Sequence, residues 1–182
     1  MPDNQEVFTD VNTDQSIIIE LLSMEEASNE ESALHHFKEI ARDNDALSEY
    51  SVLKIERLGK DDMPNFGYAT LGTRSNKLLT RHVIFNSDDV FKSVLVGQQR
   101  IAKFNERAKN TVTIFLAVVR LANVTTDVII TLNDPSQISP DSSSAESVNS
   151  SSLHPTFENT LAVLKVLLKS FDVKDWNLFA AE

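Results

Sequence analysis

Gly67 and Gly72 make this chain's nearest approach to a phosphate-binding loop, but Thr73-Arg74 follow where such a loop needs lysine and then serine or threonine. The lysine is the group that reaches the phosphates, so nucleotide binding by this chain is not expected. His35, His36, His82 and His154 are the remaining candidates for metal or proton chemistry. Adjacent helical positions point about 100° apart, so His35 and His36 do not easily share one ion, and no carboxylate stands beside them at a zinc-motif spacing. They read as ordinary surface or interfacial histidines. A Ser-His-Asp constellation is assembled in space and stays open on sequence alone, yet no strained G-x-S-x-G elbow occurs. The expectation is a protein without metal or cofactor, and not an enzyme.

What remains is an acidic surface. Asp3 and Glu6 lie beside Val7-Phe8, Asp14 and Glu20 bracket Ile17-Ile18-Ile19, and Glu25 and Glu26 follow. Residues 1–50 carry 13 acidic and 2 basic side chains, residues 51–120 carry 6 and 12, and residues 121–182 carry 8 and 3. A polyanionic N-terminal third argues against nucleic acid as its partner, because phosphate binding rests on lysine and arginine. It suits a basic protein, whose approach it would steer. A solvated acidic face that binds nothing is the alternative that composition leaves open.

Local structure has to place these side chains. Asp3, Asn4 and Gln5 supply turn chemistry ahead of a strand through Val7 and Phe8. Thr13 to Leu22 is predicted as a helix capped by Thr13 or Asp14, since Ile17, Ile18, Leu21 and Leu22 repeat at i, i+1, i+4 and i+5. Glu20 then stands at the edge of its apolar face, within reach of a partner. A second helix is predicted from Asn29 to Asn44, capped by Asn29, with Ala33, Leu34, Phe37, Ile40 and Ala41 as one stripe.

From Tyr50 the period changes to two. Val52, Leu53 and Ile55 mark one strand, Tyr68 to Thr73 and Leu79 to Phe85 two more, and Phe91 to Phe104 a long one with a bulge or bend at Gly97. In Thr111 to Leu121, Val112, Ile114, Leu116 and Val118 share one face while Phe115, Ala117, Val119 and Leu121 share the other. A strand apolar on both faces is covered on both, so it should be central, with Val128 to Asn133 as its antiparallel neighbour. The serine-rich stretch near 136–154 is expected to be a mobile loop, and a last helix to run from Thr156 to Ser170.

With 182 residues the chain fits a single domain, residues 1–182, able to bury roughly 70% of its unfolded surface. It contains no cysteine, which excludes disulfides, thiolate zinc sites and cysteine nucleophiles together. No apolar run approaches the ~18 residues of a membrane span, so no direct membrane insertion is expected. The expected fold class is α+β: a three-layer α/β/α sandwich with a mainly antiparallel central sheet of about six strands.

The segments Pro2-Asp3-Asn4-Gln5-Glu6-Val7-Phe8 and Thr13-Asp14-Gln15-Ser16-Ile17-Ile18-Ile19-Glu20-Leu21-Leu22 resemble the opening of the Ran guanine nucleotide release factor family, the Mog family of nuclear-import proteins. Gly97 to Lys103, Arg120-Leu121, Thr126 to Pro135, and Phe171-Asp172-Val173 with Asn177-Leu178-Phe179 are similar to later family blocks in the same order. Residues near 60–90 have no counterpart and are expected to be an insertion. The resemblance implies a fold like that of the PsbP proteins and a surface that engages the small GTPase Ran. Carried over by position, that surface holds Asp3 and Glu20, with Glu6 and Asp14 nearby; the family's second acidic residue, one helical turn after Glu20, is Ser23 here.

The function this implies is binding Ran and promoting release of its guanine nucleotide, in support of nucleocytoplasmic transport, by a monomer of nucleus and cytoplasm. Some family members resemble adaptors that associate with a voltage-gated sodium channel, which is the alternative. Family chains also carry a further N-terminal stretch, expected as a β-hairpin, ahead of the PDNQEV motif. Met1 stands directly before that motif here, so an uncovered sheet edge is expected.

Overall fold

The computed structural model describes residues 4–66, 90–103, 106–147, 156–174 and 179. Its strands are β1 (Gln5–Thr9), β2 (Ser16–Ser23), β3 (Tyr50–Arg57), β4 (Val90–Ala102), β5 (Lys109–Leu121) and β6 (Thr126–Gln137); its helices are α1 (Asn29–Asp43), the short α2 (Ser144–Ser147) and α3 (Phe157–Ser170). The six strands form one sheet in the order β1-β2-β6-β5-β4-β3, and every neighbouring pair is antiparallel.

β5 is central and buried on both faces, as its doubly apolar sequence predicts. Ile114, Leu116 and Val118 pack with Leu95 and Ile129 against Ala33 and Phe37 of α1. Phe115, Ala117, Val119 and Leu121 pack with Val128, Ile130 and Leu132 against Leu164 and Leu168 of α3. The alternation of side chains along one strand therefore sorts the core into two layers, and the fold is the expected α/β/α sandwich.

Residues 16–23 are a strand, which corrects the helix expected over Thr13 to Leu22. A short apolar run satisfies both periods, and three consecutive β-branched isoleucines favour the pleated form. Pairing settles the matter: β2 joins β6 from Ser16↔Asn133 to Ser23↔Thr126 and β1 from Gln5↔Glu20 to Thr9↔Ser16. Ile17, Ile19 and Leu21 then pack toward α3, while Leu22 packs toward α1.

Two smaller expectations also change. The cap of α1 is Ser28 rather than Asn29: its hydroxyl accepts from the Glu31 amide at 3.3 Å and donates to Glu31 Oε2 at 2.8 Å. β4 runs through Gly97 without a register break, and the irregularity lies across from it in β3, between Val52 and Lys54. Gly97 is needed because the Phe37 ring rests on it. A Cβ there would lie 2.5 Å from Phe37 Cζ and 2.7 Å from the Ser51 carbonyl oxygen.

The strands expected over Tyr68 to Thr73 and Leu79 to Phe85, and most of the expected insertion, lie outside the described residues. So do positions 148–155 of the serine-rich segment. Its earlier part contributes the end of β6 and α2, and Ser142 and Ser144 are buried.

Candidate functional site

α1 lies across β4 and β5 and leaves the β2–β6 part of its face of the sheet as the floor of an open groove of about 370 Å³. Strand register decides which side chains reach that floor. Glu20, Ile18 and Ser16 of β2 stand opposite Ile129, Thr131 and Asn133 of β6, and Thr131 also faces the buried Leu116 of the α1 layer. Ile40 of α1 and Asn44, which caps its C-terminus, line the groove with Ile101, Lys103, Asn110 and Val112.

Glu20 is half-buried there and accepts a 2.7 Å hydrogen bond at Oε1 from the side-chain amide of Gln5, its direct cross-strand partner. Among the described residues no lysine, arginine or histidine forms an ion pair with it. Asp14 lines the same groove but is engaged. Its Oδ2 accepts from Lys103 Nζ at 2.9 Å and from Ser144 Oγ at 2.8 Å, tying the β1–β2 turn to the neighbouring loops. Asp14 sits at φ 60, in the left-handed region that aspartate tolerates better than most residues. Asp10 stabilises the same turn: the Asn12 amide and then the Thr13 hydroxyl donate to its carboxylate and hold it below its ordinary range.

The remaining sequence-derived candidates do not gather here. Glu6 pairs with Ile19, whose side chain packs toward α3, so Glu6 projects from the opposite face to Glu20. Ser23, odd-numbered like Ile19 and Leu21, also belongs to that face and is exposed at the end of β2. The relation of one helical turn between Glu20 and Ser23 is therefore replaced by roughly 10 Å along a strand with opposite directions of projection. Asp3 lies outside the described residues.

Sequence reasoning missed the groove's other half, although one signal was present. Thr131 and Asn133 interrupt the apolar run of β6 at alternate positions, so both fall on one face. It also missed a buried ionic cluster beneath residues 24–28. Arg120 Nε donates to Asp127 Oδ1 at 3.0 Å, its other nitrogens donate to the carbonyls of Glu25 and Ala27, and His36 Nε2 lies 2.9 Å from Asp127 Oδ2. Asp127 is fully buried, and the cluster positions the turn that carries Glu25 and Glu26. His35, by contrast, is partly exposed, 3.8 Å from Glu25. Among the described residues no group of three or more potential ligands surrounds a metal position, and no helix is long and apolar enough to cross a membrane.

Fold and groove together define a three-layer antiparallel α+β protein with an open, partly polar groove beside its β1–β2 hairpin. A family model described as "Ran-interacting Mog1 protein" matches residues 1–135. The "Probable ran guanine nucleotide release factor" of Dictyostelium discoideum is 35% identical over 181 residues, covering 98% of this chain and 83% of that protein. The "Ran guanine nucleotide release factor" of Danio rerio is 36% identical over 148 residues, covering 80% and 69%. A solved structure of a mutant of protein Mog1 superimposes with a TM-score of 0.56 at 20% identity, covering 99% of this chain and 85% of that one, a likeness of fold. The chain belongs to the Mog1 family.

Proposed function

We propose that this chain binds the small GTPase Ran through the Glu20 groove and promotes release of Ran's guanine nucleotide, in support of nuclear import. The observation that carries this reading is the half-buried Glu20 carboxylate, held by Gln5 and open to a cation from outside the chain. Membership of a family described as Ran-interacting supports Ran as the partner. The names of relatives, release factors and a "Nuclear import protein mog1" of Schizosaccharomyces pombe, support the step and its setting in nucleus and cytoplasm. Asp14, which lines the same groove, belongs in this proposal to the edge of the contact; Glu6 and Ser23 project from the other face of the sheet and fall outside it, and Asp3 enters it through the family resemblance alone.

The physical mechanism is linkage. A GTPase holds its nucleotide with a P-loop lysine, backbone amides and a magnesium ion. A partner that binds nucleotide-free Ran more tightly weakens nucleotide binding by the same factor, and about 1–3 kcal/mol of coupling loosens it roughly 5- to 150-fold. The test is release of a fluorescent guanine nucleotide from loaded Ran, with and without this chain. Accelerated release is expected, and an unchanged rate would sink the proposal.

A further inference from the structure

Asn110, at the start of β5, is buried, and its side chain holds a strap formed by residues 138–145. The Ser139 amide donates to its Oδ1 at 2.8 Å, and its Nδ2 donates to Ser142 Oγ at 3.0 Å. Glu106 latches the strap from its other side: Oε2 accepts from the Ser142 hydroxyl at 2.9 Å and Oε1 from the Ser143 amide at 3.1 Å. The Ser143 hydroxyl donates to the same carboxylate and is the first cause, ahead of Ser142, of its being held below the ordinary value of 4.5. Ser144 Oγ donates to Asp14 Oδ2 at 2.8 Å, which ties the strap to the β1–β2 turn.

Of these three adjacent serines, one is open to an enzyme. Ser142 and Ser144 are 3% and 0% exposed, whereas Ser143 is exposed. In sequence it stands between Asp141, two residues before it, and Glu146, three residues after it. Kinases choose among serines by charge patterns of this kind, and a carboxylate three positions on is what an acid-directed kinase reads.

We propose that Ser143 is a phosphorylation site for an acid-directed serine kinase, and that its phosphate unlatches the strap from Glu106. None of residues 138–145 belongs to either core cluster, so local opening is enough to release the hydroxyl from Glu106. A carboxylate of the kinase takes the hydroxyl proton as Ser143 Oγ attacks the γ-phosphorus of magnesium-bound ATP. The new Oγ–P bond forms, the bond to the bridging oxygen breaks, and ADP leaves with that electron pair. A donor to Glu106 becomes a group of about −1.5 to −2 charge beside it, and the like charges separate. Lys103, the cation that acts on Glu106, is already bonded to Asp14 at 2.9 Å and is not free to neutralise both. As the strap lifts, Asn110 loses Ser142 and Asp14 loses Ser144, so the modification reaches the β1–β2 turn.

The test uses the full chain with magnesium ATP and casein kinase 2, which requires an acidic residue three positions after the serine. Mass spectrometry of the folded protein should place phosphate on Ser143, with none there in Ser143→Ala and an initial rate about tenfold lower in Glu146→Gln. No phosphate, phosphate on other serines alone, or an undiminished rate in Glu146→Gln would overturn the site. Hydrogen exchange then tests the latch. Phosphorylation should speed exchange of the Ser139 and Ala145 amides, which bond to Asn110 Oδ1 and the Ser142 carbonyl, by about tenfold or more. In Glu106→Gln, whose amide can donate to the phosphate, phosphorylation should leave these amides nearly unchanged. Equal acceleration in both proteins, or none in the wild type because Lys103 or Arg107 captures the phosphate, would overturn the unlatching.

Discussion

Gln5 and Glu20 face each other across the β1–β2 ladder, and the glutamine's amide nitrogen donates to Glu20 Oε1 at 2.7 Å. The hairpin thus fixes the orientation of the one groove carboxylate that lacks a cationic partner among the described residues. Gln5→Ala should cost about 0.5–1.5 kcal/mol of stability and slow the release of nucleotide from Ran that this chain stimulates by several-fold, whereas Glu20→Lys should abolish that stimulation. Far-ultraviolet circular dichroism and Tm report whether the fold survives. Retained release by folded Glu20→Lys would remove Glu20 from the site.

Arg120 and Asp127 form a buried pair that also holds the backbone of residues 25–27. Removing one partner leaves a buried charge unmatched, so Asp127→Ala is expected to lower unfolding free energy by about 3–5 kcal/mol in urea. The Glu25 amide, 3.4 Å from Asp127 Oδ2, should then exchange hydrogen faster. A double replacement, Arg120→Met with Asp127→Leu, should recover part of the loss.

The position of β5 was legible in the sequence because its two apolar faces admit one explanation, whereas the nature of residues 16–23 was not. Ile17, Ile18, Leu21 and Leu22 fit a helical face and a buried strand equally well, and only pairing with Asp127 to Asn133 decides between them. The groove was harder still. Ile40, Lys103 and Thr131 come from three separate elements, and no local pattern announces their meeting. Charge alone leaves Glu20 an ordinary surface carboxylate, and the family resemblance of its segment singles it out; the strand that presents it is decided by pairing in three dimensions.

Lys92 is 6% exposed on β4, and burial pushes its ammonium below the ordinary value of 10.5, partly offset by Asp62 and reinforced by Lys60 and Arg57. The unfolded chain therefore holds this proton over a pH range in which the folded chain releases it, so stability from this group rises as pH climbs toward 10.5. Lys92→Met should stabilise the protein at neutral pH by on the order of 1 kcal/mol, with the advantage shrinking in alkaline buffer. Parallel Tm profiles for the two proteins across that range would contradict the assignment.

Glu49 shows the opposite dependence. The hydrogen bond from Lys109, with Arg100 also near, holds its carboxyl below the ordinary value of 4.5. Its contribution is present above that value and is lost as pH falls through the depressed folded one. Glu49→Gln should therefore flatten the acid limb of the stability profile below about pH 4.5, leaving the alkaline limb unchanged. Because the pair is solvent-accessible, 1 M salt should reduce the difference between the two proteins.

Gly97 connects fold stability to the groove. Its added Cβ in Gly97→Ala would collide with the Phe37 ring and with the Ser51 carbonyl oxygen, one a movable side chain and the other β3 backbone. Overpacking of this kind costs about 1–3 kcal/mol, and the strain has one soft outlet, displacement of α1 from the sheet. α1 carries Phe37 in its buried stripe and Ile40 on the groove wall, so the displacement should weaken Ran binding as well as lower Tm. Phe37→Leu in the same chain relieves the ring contact but not the carbonyl contact. The double variant should therefore recover part of the lost stability relative to the sum of the single changes, and full additivity would place the strain in β3 alone.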